Sequence, residues 1–218
     1  MISLTERLKA AAELVPQGVS VIDIGTDHAR LPIYLLLSGK SPRVCAADIN
    51  RGPLSRAEEN ARRYGAAVDT LLSDGFSGVT ERFGCACICG MGGELISSII
   101  GAAGGMLPPV LVLQPMSAAE KLRKYLWDGG FSVTAELFVC EGKRPYTVMR
   151  AENTGVPEGY SYSDLYLGKS RPDCDGYRAY RAKVCAAAGK RLAGAAAEGR
   201  NCDCDKELVK ICSGESDR

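Results

Sequence analysis

Asp23, Gly25, Asp27 and His28 share one short stretch, "DIGTDHARLP", and His28 is the only histidine of the chain. The run "VSVI" before it reads as a strand, and the residues after it read as a helix. A nucleotide-binding fold sets its phosphate loop at such a junction, with three spaced glycines. Only Gly25 is present here, enough for one sharp turn and one close backbone approach. The loop therefore suits a ligand without a pyrophosphate, and its carboxylates suit one that carries positive charge.

Later strand ends continue the pattern. In an open parallel sheet, ligands bind beyond the carboxyl ends of the strands. Asp48 closes the second strand about twenty residues past the loop, where a carboxylate can accept both ribose hydroxyl protons. Asp74 can accept a hydrogen bond from an adenine amino group, and Gly75 leaves room for the ring. "GMGG", from Gly90 to Gly93, and Gln114-Pro115 end the next two strands. Each position has a use for an adenosyl ligand. Taken singly, such an aspartate also serves as a helix cap or turn residue. Asp27 could cap the helix that starts near Arg30, and His28 could be an ordinary hydrogen-bonded loop residue. The order of the strand ends carries the reading.

Positioning these residues requires alternating elements. "VSVIDI", "RVCAADI", "VDTLLSD", "CACICG" and "PVLVLQP" read as strands, separated by amphipathic segments such as "NRGPLSRAEENARRYG" and "SAAEKLRKYLWDGG". Apolar strands between helices predict a parallel sheet covered on both faces. "FSVTAELFVCEG" and "RPYTVMRAE" follow without a helix between them and predict an antiparallel pair at the sheet's edge. An α/β, Rossmann-like sheet of seven strands ending in such a pair is the shape associated with S-adenosylmethionine-dependent methyltransferases. Residues 1–153 are read as this domain, and residues 154–218 as a small helical appendage. The appendage holds a helix from about Tyr177 to Glu198, with Val184, Cys185, Ala188, Leu192 and Ala195 on one face, and a shorter one at "DKELVKIC".

Composition narrows the class further. Lys and Arg number 27 against 26 Asp and Glu, so any attraction to nucleic acid must be local. The N-terminal "MISLTERLKAAAELV" predicts a charged amphipathic helix rather than a signal peptide, and no run is long enough to span a membrane. A cytoplasmic location follows as the expectation. The ten cysteines sit largely in apolar runs and read as small buried hydrophobes. Alternating Cys85, Cys87 and Cys89 would share a strand face, and "CDC" at Cys202 and Cys204 has no second pair at ligand spacing, so no structural metal is expected.

"DIGTDHARLPIYLLLSG", "DINRGPLSRAEENARRYG", "SDGF", "CGMGGELI" and "LVLQPMSAAEKLRKYLWDGGF" resemble the bacterial tRNA (adenine-22-N1)-methyltransferase family, TrmK. The similarity runs from the first helix to about Arg150, and more loosely through "DLYLGK" and the helical tail. The resemblance implies methyl transfer from S-adenosylmethionine to N1 of an adenine in the D-arm of tRNA. It implies that Asp23, Gly25, Thr26, Asp27 and His28 line the methionine end of the cofactor. Asp48 and Ile49 would hold the ribose side, and Asp74 with Gly75 the adenine. Gly90, Met91 and Gly92 would occupy the place where related adenine methyltransferases carry an "[DN]-P-P-[YF]" motif, with Gly90 also against the cofactor and Gln114 facing the substrate. Adenine N1 has a free lone pair, so the implied catalytic work is positioning, with no general base.

The window from Lys169 to Arg191 is the expected RNA contact, with Lys169, Arg171, Arg178, Arg181 and Lys183 against phosphate. Tyr177 and Tyr180 could stack on exposed bases, or could pack on the main domain. Two other readings remain open at this level: a non-catalytic RNA-binding protein on a methyltransferase fold, and a methyltransferase with another acceptor.

Overall fold

The structure is a computed structural model, and it describes residues 2–213. Seven strands form one sheet in the order β3-β2-β1-β4-β5-β7-β6. They are β1 (Val21–Ile24), β2 (Val44–Asp48), β3 (Asp69–Leu72), β4 (Cys85–Gly92), β5 (Val110–Ser117), β6 (Phe131–Glu141) and β7 (Arg144–Asn153). β1 to β5 run parallel, and β7 runs antiparallel to both β5 and β6. The final pair therefore does close the sheet at its edge. β7 enters between β5 and β6, and the earlier strand of the pair becomes the outermost.

The helices are α1 (Glu6–Leu14), α2 (Arg30–Leu37), α3 (Arg51–Tyr64), α4 (Gly93–Ala102), α5 (Ala119–Asp128), α6 (Tyr162–Leu167), α7 (Asp175–Ala197) and α8 (Asp203–Ser213). The core has a layer on each face of the sheet. Ile96 and Ile100 of α4 pack with Leu122 and Leu126 of α5 against one face. Ala10 to Ala12 of α1 and Leu31 and Leu35 of α2 pack against the other. Central strand residues are consequently shut off from solvent on both sides, as the exposures of 0% at Ala86, Cys87 and Ile88 show. All ten cysteines are free thiols, and Cys45, Cys85 and Cys87 are buried in this packing.

Two local expectations are corrected. The first helix begins at Glu6, because Thr5 is extended at its N-cap position (φ −68°, ψ 163°). Ile2 and Leu4 are instead buried ahead of it, while Met1 lies outside the described residues. Asp27 does not cap α2, since Ala29 holds the N-cap position in the left-handed region at φ 48°.

The helical tail is fastened to the sheet by one buried ion pair. Arg123 of α5 and Glu136 of β6 have side chains 0% and 2% exposed and meet at 2.7 Å. The guanidinium also donates to the Leu165 carbonyl at 2.6 Å and to the Tyr180 hydroxyl at 3.2 Å. Glu136 accepts a further bond from the Thr147 hydroxyl at 2.5 Å. α7 then lies so close to β6 that a Cβ at Gly176 would come within 2.0 Å of the Phe138 carbonyl oxygen. Phe138 packs between Tyr177 and Tyr180, at ring-centroid distances of 4.9 and 5.0 Å. α8 is tied back by Arg191, whose guanidinium reaches the buried Asp205 carboxylate at 3.0 Å. Both tyrosines are therefore packed on the main domain and are not open to stack on bases.

Removing one member of a buried pair leaves the other charge unpaired in a dry site, which costs about 3–5 kcal/mol. Arg123→Ala should lower the unfolding free energy by that order in urea denaturation, whereas Arg123→Met combined with Glu136→Leu should recover most of it.

Candidate functional site

The carboxyl ends of the parallel strands open onto a cavity of about 470 Å³, within the usual span of ligand sites. Its floor is the β1–α2 loop, with Asp23, Gly25, Thr26, Asp27 and His28 all on its wall. Gly90 and Gln114, from the ends of β4 and β5, face them across the cavity. The first loop and one residue of the "GMGG" turn thus converge as expected from sequence.

The loop geometry explains its residue types. The Gly25 and Thr26 amides both donate to the Ala47 carbonyl of β2, at 2.8 and 3.0 Å. That closure holds Gly25 at φ +79°, where a side chain is strained. A Cβ there would also stand 1.9 Å from the Met91 methyl carbon, so Met91 lies directly over the loop. Ala29, fully buried, is the second left-handed residue of the segment. Such strain costs on the order of 1 kcal/mol and needs the surrounding packing to hold it.

The Asp23 carboxyl is buried and pushed up to about 6 by loss of solvent, with the Thr26 hydroxyl pulling it down and the Asp48 charge adding to the rise. Asp27 is more open. Its carboxylate lies 3.2 Å from His28 Nε2 and 3.2 Å from the Arg56 guanidinium.

Asp48, Ile49, Asp74 and Gly75 stand outside the cavity wall, along the ends of β2 and β3. Asp48 Oδ1 accepts from the Asn50 amide at 2.7 Å, which leaves its other oxygen open. Ile49 is 58% exposed, an apolar surface beside that carboxylate. Ser73 N donates to the Asp48 carbonyl at 3.0 Å, bringing Asp74 and Gly75 alongside. Gly75 has φ +54°, and a Cβ on it would crowd Ile99 at 3.3 Å. Asp23, Asp48 and Asp74 so form a row across three neighbouring strands.

At the other end of the cavity, Gln114 is a structural hub. Its Oε1 accepts from the Gly90 amide at 3.1 Å and from Arg7 Nη1 at 3.0 Å, and its Nε2 donates to the Pro115 carbonyl at 2.9 Å. Arg7 in turn donates through Nε to Glu141 at 2.8 Å, and its backbone amide reaches the same carboxylate at 3.1 Å. Burial raises the Glu141 carboxyl, but Thr5 and Arg7 outweigh it and hold the group below its ordinary range. Arg7, Thr5 and Glu141 escaped the reading of the sequence. Arg7 looks like any charged position of an amphipathic helix, and the only hint at Glu141 is its place before the Gly142 turn.

The five tail cations do not form a single free patch. Lys169 pairs with Glu158 and lies 4.7 Å from the Trp127 ring centroid. Arg171 pairs with Asp164 at 2.9 Å, and Arg178 with Asp175 at 2.6 Å. Arg181 and Lys183 are exposed, and Lys183 Nζ donates to the Pro145 carbonyl at 3.3 Å. Among the described residues, no group of three or more His, Cys, Asp or Glu side chains is placed to hold a metal ion, and no helix is long and apolar enough to cross a membrane.

A mixed seven-stranded sheet with its open site at the strand ends defines the methyltransferase class, and a family model described as a methyltransferase domain matches residues 4–149. The chain is 32% identical over 172 residues to the tRNA (adenine(22)-N(1))-methyltransferase of Bacillus subtilis strain 168, covering 77% of this chain and 72% of that one. It belongs to the tRNA (adenine-22-N1)-methyltransferase family, TrmK. Among solved structures it is similar to a Streptococcus pneumoniae protein in complex with S-adenosyl-L-methionine, with 27% identity, TM-score 0.83, and 95% and 100% of the two chains covered. It is also similar to M. capricolum TrmK in complex with S-adenosyl-homocysteine, with 25% identity, TM-score 0.77, and 87% of each chain covered.

Asp23 gives a pH signature to the free protein. Its folded value of about 6 lies above the ordinary carboxylate value, so the folded chain holds this proton more tightly than the unfolded one. The resulting stability is fully present below about pH 4 and is lost as pH rises to about 6. Asp23→Asn should therefore raise the neutral-pH unfolding free energy by about 2–3 kcal/mol, at ~1.4 kcal/mol per unit. The gain should vanish near pH 4, as read by urea denaturation across that range.

Proposed function

We propose that the chain transfers the methyl group of S-adenosylmethionine to N1 of adenine 22 in the D-arm of tRNA, in the cytoplasm. The observation that carries this reading is the 32% identity, over 77% of the chain, to the B. subtilis enzyme of that name. The donor set supports it. A buried carboxylate, a glycine-only turn and a row of three strand-end aspartates suit a cationic adenosyl ligand and offer no cradle for a pyrophosphate.

S-adenosylmethionine, when bound, supplies an electrophilic methyl group. The residues of this chain then have separable tasks. Asp23, Gly25, Thr26, Asp27 and His28 would surround the methionine end. The open oxygen of Asp48 would accept from the ribose, with Ile49 against the sugar and base, while Asp74 and Gly75 would receive the adenine. Gly90, Met91 and Gly92 would present backbone to the acceptor. Gln114 has its amide oxygen and one amide hydrogen already committed to the protein. Its part is therefore to hold the Gly90 turn rather than to read a base. Adenine N1 attacks with its own lone pair and has no proton to lose, so rate comes from alignment and no general base is required. A stacked or paired base must first be exposed, at a cost of a few kcal/mol. In the tail, Arg181 and Lys183 have no carboxylate partner among the described residues and are assigned to phosphate contacts. Lys169, Arg171 and Arg178 would have to exchange a carboxylate for phosphate.

Mapping methylated nucleosides after incubation with cofactor and tRNA should find N1-methyladenosine at position 22, and none when that adenine is replaced by guanine. Methylation elsewhere would assign another acceptor, and RNA binding without cofactor binding would make the chain a non-catalytic RNA-binding protein.

Asp48→Ala should weaken calorimetric S-adenosylmethionine binding about tenfold or more, the loss of a charge-assisted hydrogen bond. Arg7 lines the cavity itself and also holds the Gln114 amide oxygen. Arg7→Ala should lower the methylation rate about 10–100-fold in the nucleoside-mapping assay, since a small misplacement of the aligned groups costs up to ~10²-fold.

A further inference from the structure

Met116, 37% exposed at the end of β5, borders the cofactor cavity and two further concavities of about 370 and 720 Å³. The larger one runs outward between the β6–β7 turn and α7. Its charged walls are Lys143 and Arg144 on the turn and Lys183 on the helix, and among the described residues no carboxylate lines it. Lys143, Arg144 and Lys183 are exposed, and none has a carboxylate partner within 4.0 Å among the described residues. The nearest acid of the turn, Glu141, is already engaged by Arg7.

Tyr146 forms the floor between the cavities. It is 7% exposed, with the Arg7 guanidinium 5.0 Å and Lys183 Nζ 5.7 Å from its ring centroid. Ala179 and Ala182 share the α7 face with Lys183 and add no bulk over the groove. The groove is thus cationic, and it adjoins the cofactor cavity at Met116, which lines both. By contrast, the expected cluster at the start of α7 is consumed by its own acids, as at Arg178 with Asp173 and Asp175.

Building on the function proposed above, we propose that this groove is the track of the tRNA strand flanking the target adenine, with Lys143, Arg144 and Lys183 on consecutive phosphates. A strand lying there leads its target base over Met116 toward Gly90. Its acceptor groups are the anionic oxygens that three unpaired cations match.

The test uses the full chain and an unmodified tRNA transcript carrying adenine 22. Lys143→Ala combined with Arg144→Ala should weaken tRNA binding about tenfold or more. It should reduce the salt dependence of binding by about two counterions, roughly one for each phosphate no longer neutralised. Calorimetric S-adenosylmethionine affinity should not change. The charge-keeping pair Lys143→Arg and Arg144→Lys should bind tRNA like wild type. Arg62→Ala with Arg82→Ala, at the opposite end of the sheet, should also leave binding unchanged. If the double alanine variant binds and methylates tRNA as wild type does, the groove assignment is overturned while the proposed function stands. The assignment falls equally if the groove retains polyglutamate through these cations while tRNA binding is unaltered, which would give the groove to an acidic protein. Wild-type chain that binds no tRNA overturns the acceptor reading and this proposal together.

Discussion

A guanidinium withdrawn from water governs how this molecule is assembled. Arg123 can be buried only because Glu136, the Leu165 carbonyl and the Tyr180 hydroxyl return the hydrogen bonds that solvent gave it. Those partners come from β6, α6 and α7, so satisfying one side chain fixes three elements relative to α5. Gly168 shows how tightly. A Cβ on it would fall 2.3 Å from Glu136 Oε2, so only glycine turns the chain there. With α7 pinned on β6, Lys183 is delivered beside Tyr146, and the side of the site away from the β1–α2 loop acquires its wall.

A second polar knot does for the site what Arg123 does for the tail. Gln114, Arg7 and Glu141 link the Gly90 turn, the first helix and the last hairpin through bonds between 2.8 and 3.1 Å. The Gly90 turn has φ +81° and interrupts the β4–β5 register between Cys89 and Met91. Its amide is held there by the Gln114 oxygen. The β1–α2 loop is braced differently, by amides on the Ala47 carbonyl, and can therefore tolerate the strain at Ala29.

The sheet was legible because its signals are local. Runs such as "RVCAADI" and "PVLVLQP" are apolar on both faces, and a strand with both faces apolar must be sandwiched. The order of carboxylates and glycines at the strand ends was legible for the same reason, since topology alone brings those ends together. What escaped depends on long-range pairing. Arg7 and Glu141 are 134 residues apart, and nothing in the neighbourhood of either names the other as its partner. Glu158 and Asp164, the acids that pair with Lys169 and Arg171, lie outside the stretch in which the cations cluster. Tyr177 and Tyr180 were ambiguous because a tyrosine serves equally as packing or as a platform, and the burial of Phe138 between them decides it.

The position of β7 has a consequence for synthesis on the ribosome. Translation delivers β5, then β6, yet β5 bonds only to β4 and β7, and β6 only to β7. Until Asn153 has emerged, the growing chain carries an open β5 edge and a long strand with no partner. The first helix waits as well, since its Arg7 closes on Glu141 at the far end of that hairpin. α1, made before every strand of the sheet, is among the last elements to be locked, and the nascent protein acquires its complete site wall in one late step.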